Sequence, residues 1–157
     1  MAIKGGRPAD RRAVPHLMVN DGTAAVEFYK NAFGATEVLR LPGPNGSIGH
    51  AEIRLGDGHV MLADENVEMG HRGPEILGGS PVSLMFYVKD VDARFAQALA
   101  AGATVKHPLK DQFYGDRSGS VTDPFGYVWT IATHIEDIAP DEMQRRIAAM
   151  MHTETAA

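Results

Sequence analysis

At 157 residues, 44% apolar and 22% charged, the chain has the length and composition of one globular domain with a real core, and no stretch approaches the roughly 18 apolar residues of a membrane helix. Its formal net charge of −5, with basic residues scattered along the chain, argues against a nucleic-acid-binding surface, because phosphate neutralisation needs clustered Lys and Arg. The absence of cysteine excludes disulfides, thiolate metal sites and cysteine nucleophiles.

The chain opens on MAIKGGRPADRR, a basic run with no apolar segment behind it. It reads as a loose arm over residues 1–12 and not as a signal peptide, so a cytoplasmic location is expected. A strand follows around residues 14–19, then a three-turn helix capped at Asp21 or Thr23, with Phe28, Tyr29, Ala32 and Phe33 on one face and Gly34 at its end. Strands are predicted at 37–41, 48–55 and 59–63, the last two joined by the tight turn GDG at 56–58. ENVEMGHRGPEILGGSP, at 65–81, has no periodicity and reads as a surface linker.

The pattern then recurs. Residues 14–36 can be laid over 83–104, which carries Val19 onto Val88, Asp21 onto Asp90 and GAT at Gly34 onto GAT at Gly102. The second copy has a strand from Ser83, a helix capped by Asp90 with Val91, Phe95, Ala98 and Leu99 at helical spacing, and strands at 104–109, 117–122 and 127–133. DPFG at 123–126 supplies the matching turn. The expected fold is therefore α+β, two tandem βαβββ modules with curved mixed sheets, followed by a C-terminal helix. One domain is expected over 13–136, with module one at 13–66, a linker at 67–80 and module two at 81–136. Residues 137–157 form the helix and tail, with Pro140 at the helix start and Met143, Ile147, Met150 and Met151 as a docking stripe.

A duplicated βαβββ unit with FYKNAFGA in its first helix and DPFGYVW before its last strand resembles the vicinal oxygen chelate superfamily, which holds glyoxalases, dioxygenases and bleomycin-resistance proteins. HAEIRLGDGHVMLADE and YGDRSGSVTDPFGYVWTIATHIEDI are similar to its PhnB-like branch. The resemblance implies a homodimer and a cup-shaped site whose metal ligands come from the first and last strand of each module. Those positions fall on Val14 and Leu62 in module one and on Ser83 and Thr130 in module two. Divalent metals want imidazole, carboxylate or thiolate, so the usual centre is not expected.

Strand parity then selects what faces the cup, because residues two apart share a face. His16, Met18, Met85, Tyr87, Val128, Thr130, Ala132 and His134 fall on it, while Leu17, Val19, Tyr127, Trp129 and Ile131 fall on the helix side. His50, Glu52 and Arg54 alternate with apolar Ile53 and Leu55, which is either a solvated face or a cup wall. The expected ligand-binding residues are His16, Met18, His50, Glu52, Met85, Tyr87, Tyr114 and Thr130, with no metal cofactor. His50 and Glu52 are the candidates for acid/base work. His16, His50 and Glu52 are the alternative metal set, for an ion such as Zn, Ni, Mn or Fe. His59, His71, His107 and His152 read as surface residues, and Asp116 with Arg117 as a structural ion pair. The leading functional expectation is a metal-free protein binding a small molecule such as an antibiotic or other aromatic compound. The alternative is a divalent-metal-dependent glyoxalase, lyase or dioxygenase with a nonstandard ligand set. No nucleic-acid or membrane partner is expected.

Overall fold

A computed structural model describes residues 12–155. The arm expected over residues 1–12 therefore lies, except for Arg12, outside the described residues, as do the last two residues of the tail. Two four-stranded sheets of identical topology make up the fold. In the first, β1 (His16–Val19) pairs parallel with β4 (Gly58–Asp64), and β3 (Ile48–Leu55) and β2 (Thr36–Pro42) continue antiparallel. In the second, β5 (Ser83–Tyr87) pairs parallel with β8 (Val128–His134), followed by β7 (Asp116–Thr122) and β6 (Thr104–Asp111). Each first strand needs a helical crossover to run parallel to its partner, and α1 (Gly22–Phe33) and α3 (Val91–Ala101) provide it.

Both helices are delimited by local chemistry. Asp21 accepts from the Ala24 amide at 2.9 Å and Asp90 from the Ala93 amide at 3.0 Å, which settles the first cap on Asp21 and not Thr23. Gly34 and Gly102 close the helices in left-handed conformation. The linker is less plain than its sequence suggests: it contains a bridge between Asn66 and His71 and a short helix, α2 (Pro74–Leu77), that buries Pro74. Leu99 is exposed despite its helical spacing, so α3 buries only Val91, Phe95 and Ala98.

The two modules share one core. Phe28, Tyr29 and Phe33 of α1 meet Phe86, Phe125 and Trp129 of module two, with Phe33 and Trp129 ring centroids 4.9 Å apart. Asp123 organises this cluster from the DPFG turn. Its Oδ1 accepts from the Phe125 and Tyr127 amides, and its Oδ2 from the Tyr29 hydroxyl and the Trp129 indole. Burial pushes this carboxyl above its usual range while those four donors oppose the shift. Tyr127 makes a second tie, its hydroxyl accepting from the Met18 amide at 3.0 Å and donating to the Met18 carbonyl at 2.9 Å. The free edge of β1 is thereby sealed by a side chain of the other module.

The C-terminal helix, α4 (Pro140–Thr155), stands where the sequence places it. Arg146 anchors it through a bidentate pair with Glu136 and a bond to the Phe113 carbonyl, while Met143 and Ile147 are half-buried and Met150 and Met151 exposed. No described helix is long and apolar enough to cross a membrane.

Candidate functional site

Strand register defines the face of each sheet that turns away from the shared core. In module one, His16 of β1, Met61 of β4, Glu52 of β3 and Leu39 of β2 form one cross-strand row. In module two the equivalent row is Met85, Thr130, Ser120 and His107. These rows correct the expectation for Leu62. His16 corresponds to Met85 in the repeat, so the partner of His16, Met61, occupies the place that Thr130 takes in module two. Leu62 pairs with Leu17 and is fully buried in the core, as is Ile131 opposite Phe86. Trp129, 1% exposed, also belongs to the core and is no stacking platform.

Module one gathers its polar cup residues around a buried carboxylate. Glu52 is 5% exposed, its Oε1 lies 3.1 Å from His50 Nε2, and its Oε2 is buried without a partner among the described residues. A carboxylate oxygen can only accept, so His50 Nε2 carries the proton of that bond. The rings of His16 and His50 sit edge to face with centroids 5.7 Å apart. Burial first, then the neighbouring His50 and His71, holds His16 below the ordinary histidine pKa. His71 therefore stands beside the cup and not out on the surface; His59 is likewise half-buried, its Nδ1 without a partner among the described residues.

Module two carries a longer chain. The Tyr87 hydroxyl donates to Asp116 Oδ2 at 2.7 Å, and His134 Nδ1 donates to Asp116 Oδ1 at 2.9 Å. His134 Nε2 lies 2.8 Å from Asp137 Oδ1. Two carboxylates facing both ring nitrogens demand two donors, hence an imidazolium, and the bonds to Asp116 and then Asp137 raise the His134 pKa. The bond to Asp116 likewise raises the Tyr87 phenol. Asp116 is thus no partner of Arg117, which pairs instead with Asp92 and Asp111. Ser120 and Thr130 share a hydroxyl bond of 2.8 Å, and Ser118 accepts from Gln112. Tyr114 stacks edge to face on Phe113 at the rim, near enough to Tyr87 to act on its phenol.

The eight expected residues therefore form two groups: His16, Met18, His50 and Glu52 on one sheet, and Met85, Tyr87, Tyr114 and Thr130 on or beside the other. Asp116, His134 and Asp137 were missed as a unit. The signal available was parity, which already placed His134 on the same face as Tyr87.

The family described as Glyoxalase/Bleomycin resistance protein/Dioxygenase superfamily matches residues 12–131. The chain belongs to this superfamily. Within it, an uncharacterized protein of Mycobacterium tuberculosis is 44% identical over 138 residues, covering 86% of this chain and 81% of its own. The crystal structure of TioX from Micromonospora matches with 29% identity and a TM-score of 0.63, covering 82% of this chain and 99% of that one. The PhnB protein of Bacillus cereus, at 20% identity, TM-score 0.61 and coverage of 78% and 98%, shares the fold.

Superfamily membership raises the question of a metal. Val14, Ser83 and Thr130, with Met61 replacing Leu62, offer at best weak hydroxyl donors. Among the described residues no three His, Asp or Glu side chains are grouped so as to hold an ion, and the His50–Glu52 pair is turned inward on itself. The residues present do not fit the usual centre.

Proposed function

We propose that this superfamily member binds a small molecule, such as an antibiotic or other aromatic compound, without a metal, on the two faces just described. The observation that carries the reading is the chemistry of the four positions: Val14, Met61, Ser83 and Thr130 replace ligating side chains. Beside them stand side chains suited to flat apolar surfaces, with Met85 47% and Tyr87 60% exposed and Met18 half-buried. In this reading the protein is a cytoplasmic homodimer of the PhnB-like branch. Module one of one copy faces module two of the other, because the two polar clusters lie on separate sheets and share no hydrogen bond among the described residues.

Calorimetric titration and thermal shift against a panel of planar compounds test the reading. The single tryptophan is a poor reporter, since Trp129 is sealed in the core. A compound that binds and raises the melting temperature, and whose effect falls with Met85→Ala, is the expected result. Light scattering should give the mass of two chains; a monomer at micromolar concentration contradicts the paired cup.

One observation favours the metal-dependent enzyme as a second reading: Glu52 Oε2 is buried, unpartnered and adjacent to His50, with His16 near by. Protein purified without chelators distinguishes the two. Stoichiometric Zn, Ni, Mn or Fe that disappears in His50→Ala or Glu52→Ala overturns the metal-free reading.

A further inference from the structure

Each module places a buried carboxylate behind a more exposed heteroatom on its cup face. In module two the carboxylate is Asp116, 4% exposed, and the heteroatom is the Tyr87 oxygen. A phenol has one proton, and Tyr87 commits it to Asp116 Oδ2. The carboxylate cannot return one, since it only accepts, and its other oxygen is taken by His134. The Tyr87 oxygen is left with lone pairs alone for anything entering the cup. In module one the carboxylate is Glu52 and the heteroatom belongs to His50. In the tautomer that turns Nε2–H to Glu52, the other ring nitrogen, Nδ1, presents a lone pair. Two unrelated side chains, at non-equivalent places in the repeat, are converted into hydrogen-bond acceptors by the same device.

We infer that the cup selects ligands by their donors: a flat aromatic molecule carrying N–H groups, of the arylamine or amidine class, is accepted, and one whose polar atoms are only acceptors is rejected. An acceptor-headed ligand would face lone pair against lone pair at both positions, with no proton to spare on either. A donor-headed ligand is met by Tyr87 and His50, while Met18 and Met85 pack on its ring faces. The His134 imidazolium, on the same face as Tyr87, has both N–H groups committed to Asp116 and Asp137, and the arginine and lysine of these faces stand apart from the acceptors. Arg54 is in the next row of β3, exposed, and Lys110 is on β6, three strands from Tyr87 across β8 and β7. This inference rests on the small-molecule reading above and adds the class of ligand.

Three naphthalenes of one ring shape test it by calorimetry on the full chain: naphthalene-2-carboxamidine, naphthalene-2-carboxylate and 2-methylnaphthalene. The amidine should bind at least about tenfold tighter than the carboxylate, as expected for roughly one charge-assisted hydrogen bond. Tyr87→Phe, at an exposed position, should remove most of that preference, read as the ratio of amidine to carboxylate affinity, and His50→Ala should act the same way from the other module. Equal binding of amidine and carboxylate, or a preference that survives both variants, overturns the donor rule and leaves the small-molecule reading standing. No binding by any of the three overturns the rule and the flat-ligand reading together.

Discussion

At Asp123 the turn residue of DPFG proves to be an interior hub. It takes four hydrogen bonds, two of them from the buried hydroxyl of Tyr29 and the buried indole of Trp129. Removing the acceptor leaves both donors dry, and each orphaned group costs about 1 to 3 kcal/mol. Asp123→Ala should therefore lower unfolding free energy by at least about 2 kcal/mol in urea titration; a loss within error would mean the donors find other partners. His134 makes a second prediction at this scale. Its folded pKa is raised, so the stabilisation from the Asp116 and Asp137 bonds is fully present below the ordinary histidine value and declines as pH rises through the folded one. NMR titration of the imidazole should show a midpoint above that of free histidine, and Asp137→Asn should move it down. A midpoint that stays put in Asp137→Asn argues against the Nε2 bond.

Among the elements, β7 and α3 approach closely because Gly119 has no side chain. A Cβ there would stand 2.7 Å from Phe95 Cε2 and 3.0 Å from the Leu109 amide nitrogen. Gly119→Ala should force α3 off the sheet and cost about 1 to 3 kcal/mol, as overpacking does, measurable as a lowered melting temperature. Tyr127 acts on β1 in the same local way. Tyr127→Phe deletes both bonds to the Met18 backbone, so hydrogen exchange at the Met18 amide should accelerate while amides of the central strands β3 and β7 change little. Element order, helix caps and the DPFG turn were legible beforehand because they depend on near neighbours: an Asp before each helix, a Gly after it, an alternating strand. The Leu62 expectation failed for an equally local reason. The module-one hairpin turns through residues 56–57, between paired Leu55 and Gly58, whereas the module-two hairpin spends residues 123–127 between Thr122 and Val128. Counting from a turn carries that difference into the strand, and a slip of one residue exchanges cup for core.

At the scale of the whole molecule, one aromatic core serves both modules, so they should unfold together. Phe33, in contact with both Phe86 and Trp129, joins them. Phe33→Ala should cost about 3 to 5 kcal/mol and keep a single transition by calorimetry; two resolved transitions would contradict a shared core. The sequence by itself determined the repeat, the two βαβββ modules and the alternation that sends His16, Met18, Met85 and Tyr87 to one face and Trp129 to the other, because these follow from backbone periodicity and apolar burial. Only the tertiary structure decided that Asp116 serves Tyr87 and His134 and not its neighbour Arg117, and that His71 comes back beside His16. Those facts depend on which strands adjoin and in what register, and a hydrogen bond spanning 29 residues, such as Tyr87 to Asp116, leaves no periodic trace along the chain.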